Sequence, residues 1–142
     1  MKATDVIKRD HRAAEELFEK YKNVAHEDRA AMEEKIFQAL DAHENMEDTY
    51  FYPELMAAAP DMEGLAELES EQGELEKEVE AVRAMEGDRD EAIMGMMDKV
   101  LTHAKKEEEE ILAPAEEILG AHKLEELGAQ MEPESAVAKD EG

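Results

Sequence analysis

The sequence predicts an all-α protein: an up-down-up-down four-helix bundle with a short fifth helix at its C-terminal end. Two observations favour helices over strands. The 142 residues are rich in Ala, Glu, Leu, Met and Lys, with only three Phe, three Tyr and no Trp. Apolar residues recur every three or four positions instead of every second one. A chain of this length has room for one core, so we expect one bundle.

Four stretches carry the helical spacing, and turn signals separate them. The second stretch ends near Pro60, the third stops at Gly87 and the fourth is broken by Pro114. Short connections favour helices that fold back on one another as a bundle. The four stripes are Ile7, His11, Ala14, Phe18 and Tyr21; Met32, Ile36, Ala39, His43, Glu47, Tyr50 and Glu54; Leu65, Leu68, Gln72, Leu75, Val79 and Val82; and Ile93, Met96, Val100, His103, Glu107 and Ile111.

The C-terminal part of the chain is predicted to extend the bundle. Residues 1–114 form the bundle itself, and residues 115–132 form the fifth helix, because Ile118, Leu119, Leu124 and Leu127 recur at helical spacing. Residues 133–142 are polar, and we expect a flexible tail there.

Composition excludes several classes of partner and site. The formal net charge of -24 disfavours nucleic acids and anionic membranes, which would both be approached against repulsion. The absence of Cys excludes disulfides, thiolate zinc sites and iron–sulfur clusters. The N-terminal residues carry charges throughout, which is typical of neither a signal peptide nor a membrane anchor. We expect a cytoplasmic protein, either a monomer or a weak homodimer.

Each stripe contains a polar residue where an apolar one is expected. Because buried polar groups need partners, these positions point to a common site in the bundle interior. A His and a Glu four residues apart project from one face of a helix, so two such pairs can bring carboxylates and imidazoles together around cations. Nitrogen and oxygen ligands suit iron, manganese or zinc. The positions are His11 in the first helix, His43 and Glu47 in the second, Gln72 in the third, and His103 and Glu107 in the fourth.

The His/Glu pairs can also be interpreted without a metal. Such a pair on a charged helix is usually a solvated contact, and 40 acidic residues produce some by chance. An acidic structural bundle with an empty site is therefore an alternative. A ferritin-like di-iron protein is disfavoured, because it needs His after Glu in Glu-x-x-His pairs.

Three runs of the sequence, DHRAAEELF, HENMEDTYFYPEL and HAKKEEEEILAP, resemble the hemerythrin-like HHE cation-binding family over residues 4 to 114. The resemblance implies two non-haem iron ions bridged by carboxylates, with an oxo or hydroxo group as a further bridge. It also implies oxygen binding, iron or oxygen sensing, or the handling of nitric oxide or peroxide. The implied ligands are His11, His43, Glu47, His103 and Glu107, with Glu47 and Glu107 as bridges.

The sequence departs from the family pattern in the third helix. The family has a Glu-His pair there, but this chain reads ESEQGEL, so Gln72 replaces the His. We hypothesise that Tyr50 fills the vacated position as a phenolate ligand and catalytic residue, because it lies three residues after Glu47 on the inward face. Gly73 would leave room for its ring. The alternatives are that Tyr50 packs and bonds to Gln72, or that Gln72, Glu71, Glu74 or Glu44 supplies the ligand.

A phenolate ligand would favour iron(III) over iron(II), which disfavours reversible oxygen carriage. We therefore expect a protein that acts on small oxidants, by hydrogen peroxide disproportionation or nitric oxide oxidation, as a catalase- or peroxidase-like enzyme. A non-enzymatic protein that binds oxygen or senses iron or oxygen is the alternative. In either case the partner is a small molecule: O2, H2O2 or NO.

Overall fold

A computed structural model describes the backbone of residues 1–141 and the side chains of residues 1–139; all regular structure in that range is helical, which confirms the predicted all-α class. Two 3₁₀ turns, His26–Asp28 and Glu132–Glu134, and two π-helical turns, Glu47–Phe51 and Glu108–Leu112, lie between helices. The helices are α1 (Ala3–Asn23), α2 (Arg29–Met46), α3 (Tyr52–Ala58), α4 (Leu65–Arg83), α5 (Asp90–Glu107), α6 (Ala113–Met131) and α7 (Ala136–Glu141).

Two buried apolar clusters show that the bundle helices alternate in direction. Helix α1 begins in the first cluster and ends in the second, α2 runs from the second to the first, α4 returns, and α5 runs back again. The predicted four-helix, up-down-up-down bundle is therefore confirmed. The first cluster contains Ala3, Val6, Ile7, Met46, Phe51, Leu55, Leu65, Leu68 and Ile111. The second contains Phe18, Tyr21, Ile36, Phe37, Leu40, Val79, Val82, Ile93, Met96 and Met97.

Two π-helical turns continue the second and fourth helices where α2 and α5 end. In the first turn the backbone N–H of Tyr52 donates to the carbonyl of Glu47, five residues back. A proline, Pro53 or Pro114, follows each turn near the start of α3 or α6. Proline has no N–H and crowds the preceding helical turn, and a wider turn relieves that conflict. The break expected at Pro114 is therefore wrong.

The helix bends later, at Gly120, whose φ of 80° and ψ of 160° are not helical. A positive φ costs glycine little, because it has no Cβ. Beyond the bend, Leu124, Leu127 and Met131 return to the first apolar cluster. Ile118, predicted on the buried stripe, is 38% exposed.

The last described residues fold onto the bundle. Ser135 is 0% exposed and Ala136 is 7% exposed, and α7 packs against α1 and α2. Of the expected flexible tail, residues 133–142, the part up to Lys139 is thus packed against the bundle, and residue 142 lies outside the described residues. None of the helices described is long and apolar enough to cross a lipid bilayer.

Candidate metal centre

The predicted ligands lie in a polar layer between the two apolar clusters. Helix α1 supplies His11, α2 and its π turn supply His43 and Glu47, and α5 supplies His103 and Glu107. His11 is 6% exposed, Glu47 2% and Glu107 1%. Carboxylates are rarely buried to this extent unless they are paired or bind a cation.

Three of these residues form a compact group. His11, His43 and Glu107 each offer one ligand atom, and the three atoms lie within 4.8 Å of one another. Oε1 of Glu107 is 3.1 Å from Nε2 of His11. Oε1 of Glu47 is 2.9 Å from Nε2 of His43, and its carboxyl group lies close enough to that of Glu107 for the two charges to act on each other. The structure therefore brings together four of the predicted ligands.

Three buried atoms in this group make no well-aligned hydrogen bond among the described residues: Nε2 of His43, Oε2 of Glu47 and Oε1 of Glu107. Two of them still lie close to a possible partner, Nε2 of His43 to Glu47 and Oε1 of Glu107 to His11. Leaving one buried polar group unpaired costs roughly 1–3 kcal/mol. Three such atoms in one site, all nitrogen or carboxylate oxygen, are the donor set that a first-row transition metal binds. The residues present therefore fit a metal ion.

The other ring nitrogen of each imidazole is already bound. Nδ1 of His43 is 2.9 Å from Oδ2 of Asp10, and Nδ1 of His11 is 2.7 Å from Oε2 of Glu108. When Nδ1 donates its proton to a carboxylate, Nε2 is left as the ligand atom. Both imidazoles are thus oriented for a metal within the cluster.

Charges in the metal-free site are strongly coupled. Burial raises the pKa of Glu47, and the charge of Glu107 raises it further. Burial lowers the pKa of His43, but the charge of Glu47 and the hydrogen bond to Asp10 outweigh burial and hold that pKa well above its usual range. Protons thus neutralise the metal-free site, and a bound cation would replace them.

The tyrosine that reaches the cluster is Tyr52, whereas Tyr50 was expected. The hydroxyl of Tyr52 donates to Oε2 of Glu107 over 2.5 Å, and its side chain is 1% exposed. Tyr50 is half-buried against the first apolar cluster. The π turn is the physical reason. It adds one residue to the helix, so the side chains that face the bundle interior after Glu47 are those of Phe51, Tyr52 and Leu55. The structure therefore favours Tyr52 over Tyr50 as the phenol of the site.

Gln72 takes the position where the family pattern has His. It is 3% exposed, its Oε1 is 3.3 Å from Nε2 of His103, and its amide donates to Asp48 over 2.9 Å. His103 therefore contacts Gln72 at the edge of the cluster. The predicted contact between Tyr50 and Gln72 is absent from the hydrogen bonds of the described residues.

The three glutamates considered as replacements for the missing His lie away from the cluster. Glu71 accepts a hydrogen bond from Lys106 over 2.8 Å, Glu74 is exposed, and Glu44 lies close to Glu76 of α4. A Cβ at Gly73 would meet no atom within 4 Å. Gly73 is therefore not needed to make room for a ring.

Sequence reasoning missed Asp10, Glu108 and Tyr52. A signal existed for Tyr52, because Pro53 lies inside a helical pattern and marks a place where the helical phase can change. Asp10 precedes His11 and Glu108 follows Glu107, but on a chain with 40 acidic residues no pattern separates these two from solvated carboxylates.

A cavity of about 420 Å³ leads to the cluster between α1, α2 and α5. His11, His43, Ala136 and Val137 form part of its wall. The rest of its lining is mixed, with apolar residues such as Phe18, Ile36 and Val100 and charged residues such as Arg12, Lys20 and Lys35. The cavity therefore offers small molecules a route to the imidazoles.

Comparison with known proteins agrees with this geometry. The family model for the hemerythrin HHE cation binding domain matches residues 2–115, which include all the ligands of the cluster. Neither the curated proteins nor the solved structures gave a match. Because the family model spans most of the chain and its polar residues converge in the structure, the chain belongs to the hemerythrin HHE cation-binding family.

Proposed function

We propose that this protein is a non-haem di-iron protein that acts on small oxidants, by disproportionation of hydrogen peroxide or oxidation of nitric oxide. The observation that carries the proposal is the set of three buried nitrogen and carboxylate oxygen atoms, on His43, Glu47 and Glu107, that make no well-aligned hydrogen bond among the described residues. Their number and chemistry suit a cation better than any hydrogen-bond network formed by the chain alone.

The donors divide into two groups around the carboxylates. His11 and His43 would hold one iron ion together with Glu107, as their grouping within 4.8 Å supports. His103, which contacts Gln72, and the phenol of Tyr52, which donates to Oε2 of Glu107, would serve the second ion. Glu47 and Glu107 would be the bridges, with an oxo or hydroxo group completing them.

Bound iron would supply the electron transfer that peroxide or nitric oxide chemistry requires. Tyr52 holds a proton at its hydroxyl oxygen, directed at Glu107. Burial and then the charges of Glu107 and Glu47 raise the pKa of Tyr52 in the metal-free protein. A cation would reverse that effect, and an anionic phenolate donor favours iron(III) over iron(II). Such a site suits oxidant turnover better than reversible oxygen carriage.

Metal analysis with an optical spectrum tests the site, using Tyr52→Phe and its matched control Tyr50→Phe. We expect two iron ions per chain and a broad visible charge-transfer band in the wild type and in Tyr50→Phe. The band should disappear in Tyr52→Phe. If the band persists in Tyr52→Phe, Tyr52 is not a ligand and only donates a hydrogen bond to Glu107. A chain that binds no metal would refute the proposal.

Gas measurements separate the enzyme from the alternative, a protein that binds oxygen or senses iron or oxygen. An enzyme evolves O2 from hydrogen peroxide, or consumes nitric oxide together with O2 as the oxidant, over many turnovers, and Glu107→Gln should abolish this together with iron binding. A binder instead takes up O2 reversibly, in proportion to its iron, without turnover. Stoichiometric iron without turnover of either substrate would favour the binder.

A further inference from the structure

The C-terminal strap, residues 132–139, contacts the carboxylate that orients one of the imidazoles. Asp10 is 2% exposed. Its Oδ2 accepts from Nδ1 of His43 over 2.9 Å and from the backbone N–H of Ala136 over 3.0 Å. Its Oδ1 accepts from the backbone N–H of Val137 over 3.2 Å. One buried carboxylate thus joins the strap to His43.

Further contacts hold the strap in place. The guanidinium of Arg9 donates to Glu132 over 3.4 Å and to the hydroxyl of Ser135 over 3.3 Å. The same hydroxyl donates to the carbonyl of Glu132 over 2.9 Å, and it is buried within the strap. Arg9 and Asp10, neighbours in α1, therefore bind the strap from two sides.

The strap fixes the orientation of Asp10. With both oxygens held by backbone N–H groups, its side chain cannot rotate without breaking a bond, so the Nδ1 of His43 meets a fixed partner.

We propose that the C-terminal strap is a positioning element of the metal centre: through Asp10 it fixes the ring orientation of His43 and so raises the affinity of the site for metal. This inference rests on the proposed function, because it assigns a metal to His43. The strap lies beyond residues 2–115, the part of the chain that the family model matches. Partners that orient a ligating histidine typically contribute about 10- to 100-fold in metal affinity.

The first test removes the part of the strap that contacts Asp10 by ending the chain after Glu134, with a control chain that ends after Lys139 and keeps every contact described above. Zn²⁺ affinity is measured by competition with a chromophoric chelator. We expect the shorter chain to bind Zn²⁺ about 10- to 100-fold more weakly than the full chain, and the control to bind as the full chain does.

A point substitution covers the case in which the shorter chain fails to fold. Ala136→Pro removes the backbone N–H that donates to Oδ2 of Asp10. Proline suits the first residue of a helix, and Ser135 already has the extended conformation, φ -67° and ψ 159°, that precedes proline. Ala136→Gly is the matched control, because it alters the same residue and keeps the N–H.

The nuclear magnetic resonance signal of the His43 Nδ1 proton, recorded in metal-free protein, reports positioning directly. We expect a slowly exchanging proton in the full chain and in Ala136→Gly, and fast exchange in Ala136→Pro. Unchanged Zn²⁺ affinity and unchanged exchange in Ala136→Pro would overturn the inference. If the full chain binds neither Zn²⁺ nor iron, the proposed function fails, and proton exchange alone then decides whether the strap positions His43.

Discussion

Several carboxyl groups lie close together between α2 and α4, and we expect one of them, Glu76, to lower the free energy of unfolding as the pH rises. Burial and a hydrogen bond with Asp48 raise the pKa of Glu76 from its ordinary value of 4.5 to about 7. Burial and the charge of Glu76 also raise the pKa of Glu44 to about 8. The folded state thus holds these protons more tightly than the unfolded chain does, so the stability they contribute is complete below pH 4.5 and is lost as the pH rises.

The substitution Glu76→Gln removes the cost of ionising Glu76 in the folded protein at high pH. The difference between an ordinary pKa of 4.5 and one of about 7 corresponds to roughly 3 kcal/mol. Glu76 is only partly buried, and solvent screening reduces the effect. We expect Glu76→Gln to be more stable than the wild type by about 1–2 kcal/mol at about pH 8, and the two to be equal within about 0.5 kcal/mol near pH 4.

Urea unfolding of the metal-free protein at the two pH values measures this difference. The control is Glu74→Gln, which removes the same charge from an exposed position on the same helix. The control is needed because any lost negative charge relieves some repulsion in a chain of net charge -24. If Glu74→Gln gains as much stability between the two pH values as Glu76→Gln does, the position of Glu76 between α2 and α4 has no effect of its own and the reasoning is wrong.

Three further outcomes are expected from packing, hydrogen bonding and metal binding. A Cβ at Gly128 would meet the backbone of Met1, whereas one at Gly95 would meet nothing within 4 Å. In urea unfolding, we expect Gly128→Ala to lower the free energy of unfolding by about 1–3 kcal/mol and Gly95→Ala to raise it by up to about 1 kcal/mol. The hydroxyl of Tyr21 donates to the buried Glu33 over 2.8 Å, so Tyr21→Phe should cost about 1–2 kcal/mol in the same assay without changing iron content. Chelation of the metal should lower the melting temperature by about 5 °C or more, measured by calorimetry, because metal binding stabilises only the folded state.

Much of the fold followed from spacing alone. The predicted stripe of α1 runs from Ile7 to Tyr21, and Ile7, His11, Phe18 and Tyr21 are all buried. The stripe of α4 is equally accurate, with Leu65, Leu68, Gln72, Val79 and Val82 buried. Both helices are regular throughout, so a fixed period of 3.6 residues carries the phase from one end to the other. Gln72 was therefore placed correctly inside the bundle, where the structure shows it in contact with His103.

The second helix shows where such reasoning ends. As far as Glu47 its predicted stripe is only partly right, because Ile36 and Glu47 are buried whereas Met32, Ala39 and His43 are half-buried. After Glu47 the expected inward positions Tyr50 and Glu54 are not buried, and the core instead takes Phe51, Tyr52 and Leu55. The spacing of apolar residues cannot reveal one added residue in a helix, because apolar side chains fit the helical spacing both before and after the π turn. For the same reason the identity of the phenol in the site could not be derived from spacing.

The two π turns act differently on the site. Each begins at or immediately after a central carboxylate, Glu47 or Glu107, and is followed by a proline. The first brings Tyr52 to Glu107, where a regular helix would instead align the residues three and four positions after Glu47. Glu108, the first residue of the second turn, follows Glu107 directly and contacts Nδ1 of His11 without the added residue. The irregular part of a turn thus supplies the phenol of the site, while regular helices and the first residues of the two turns supply the candidate ligands and the carboxylates that contact them.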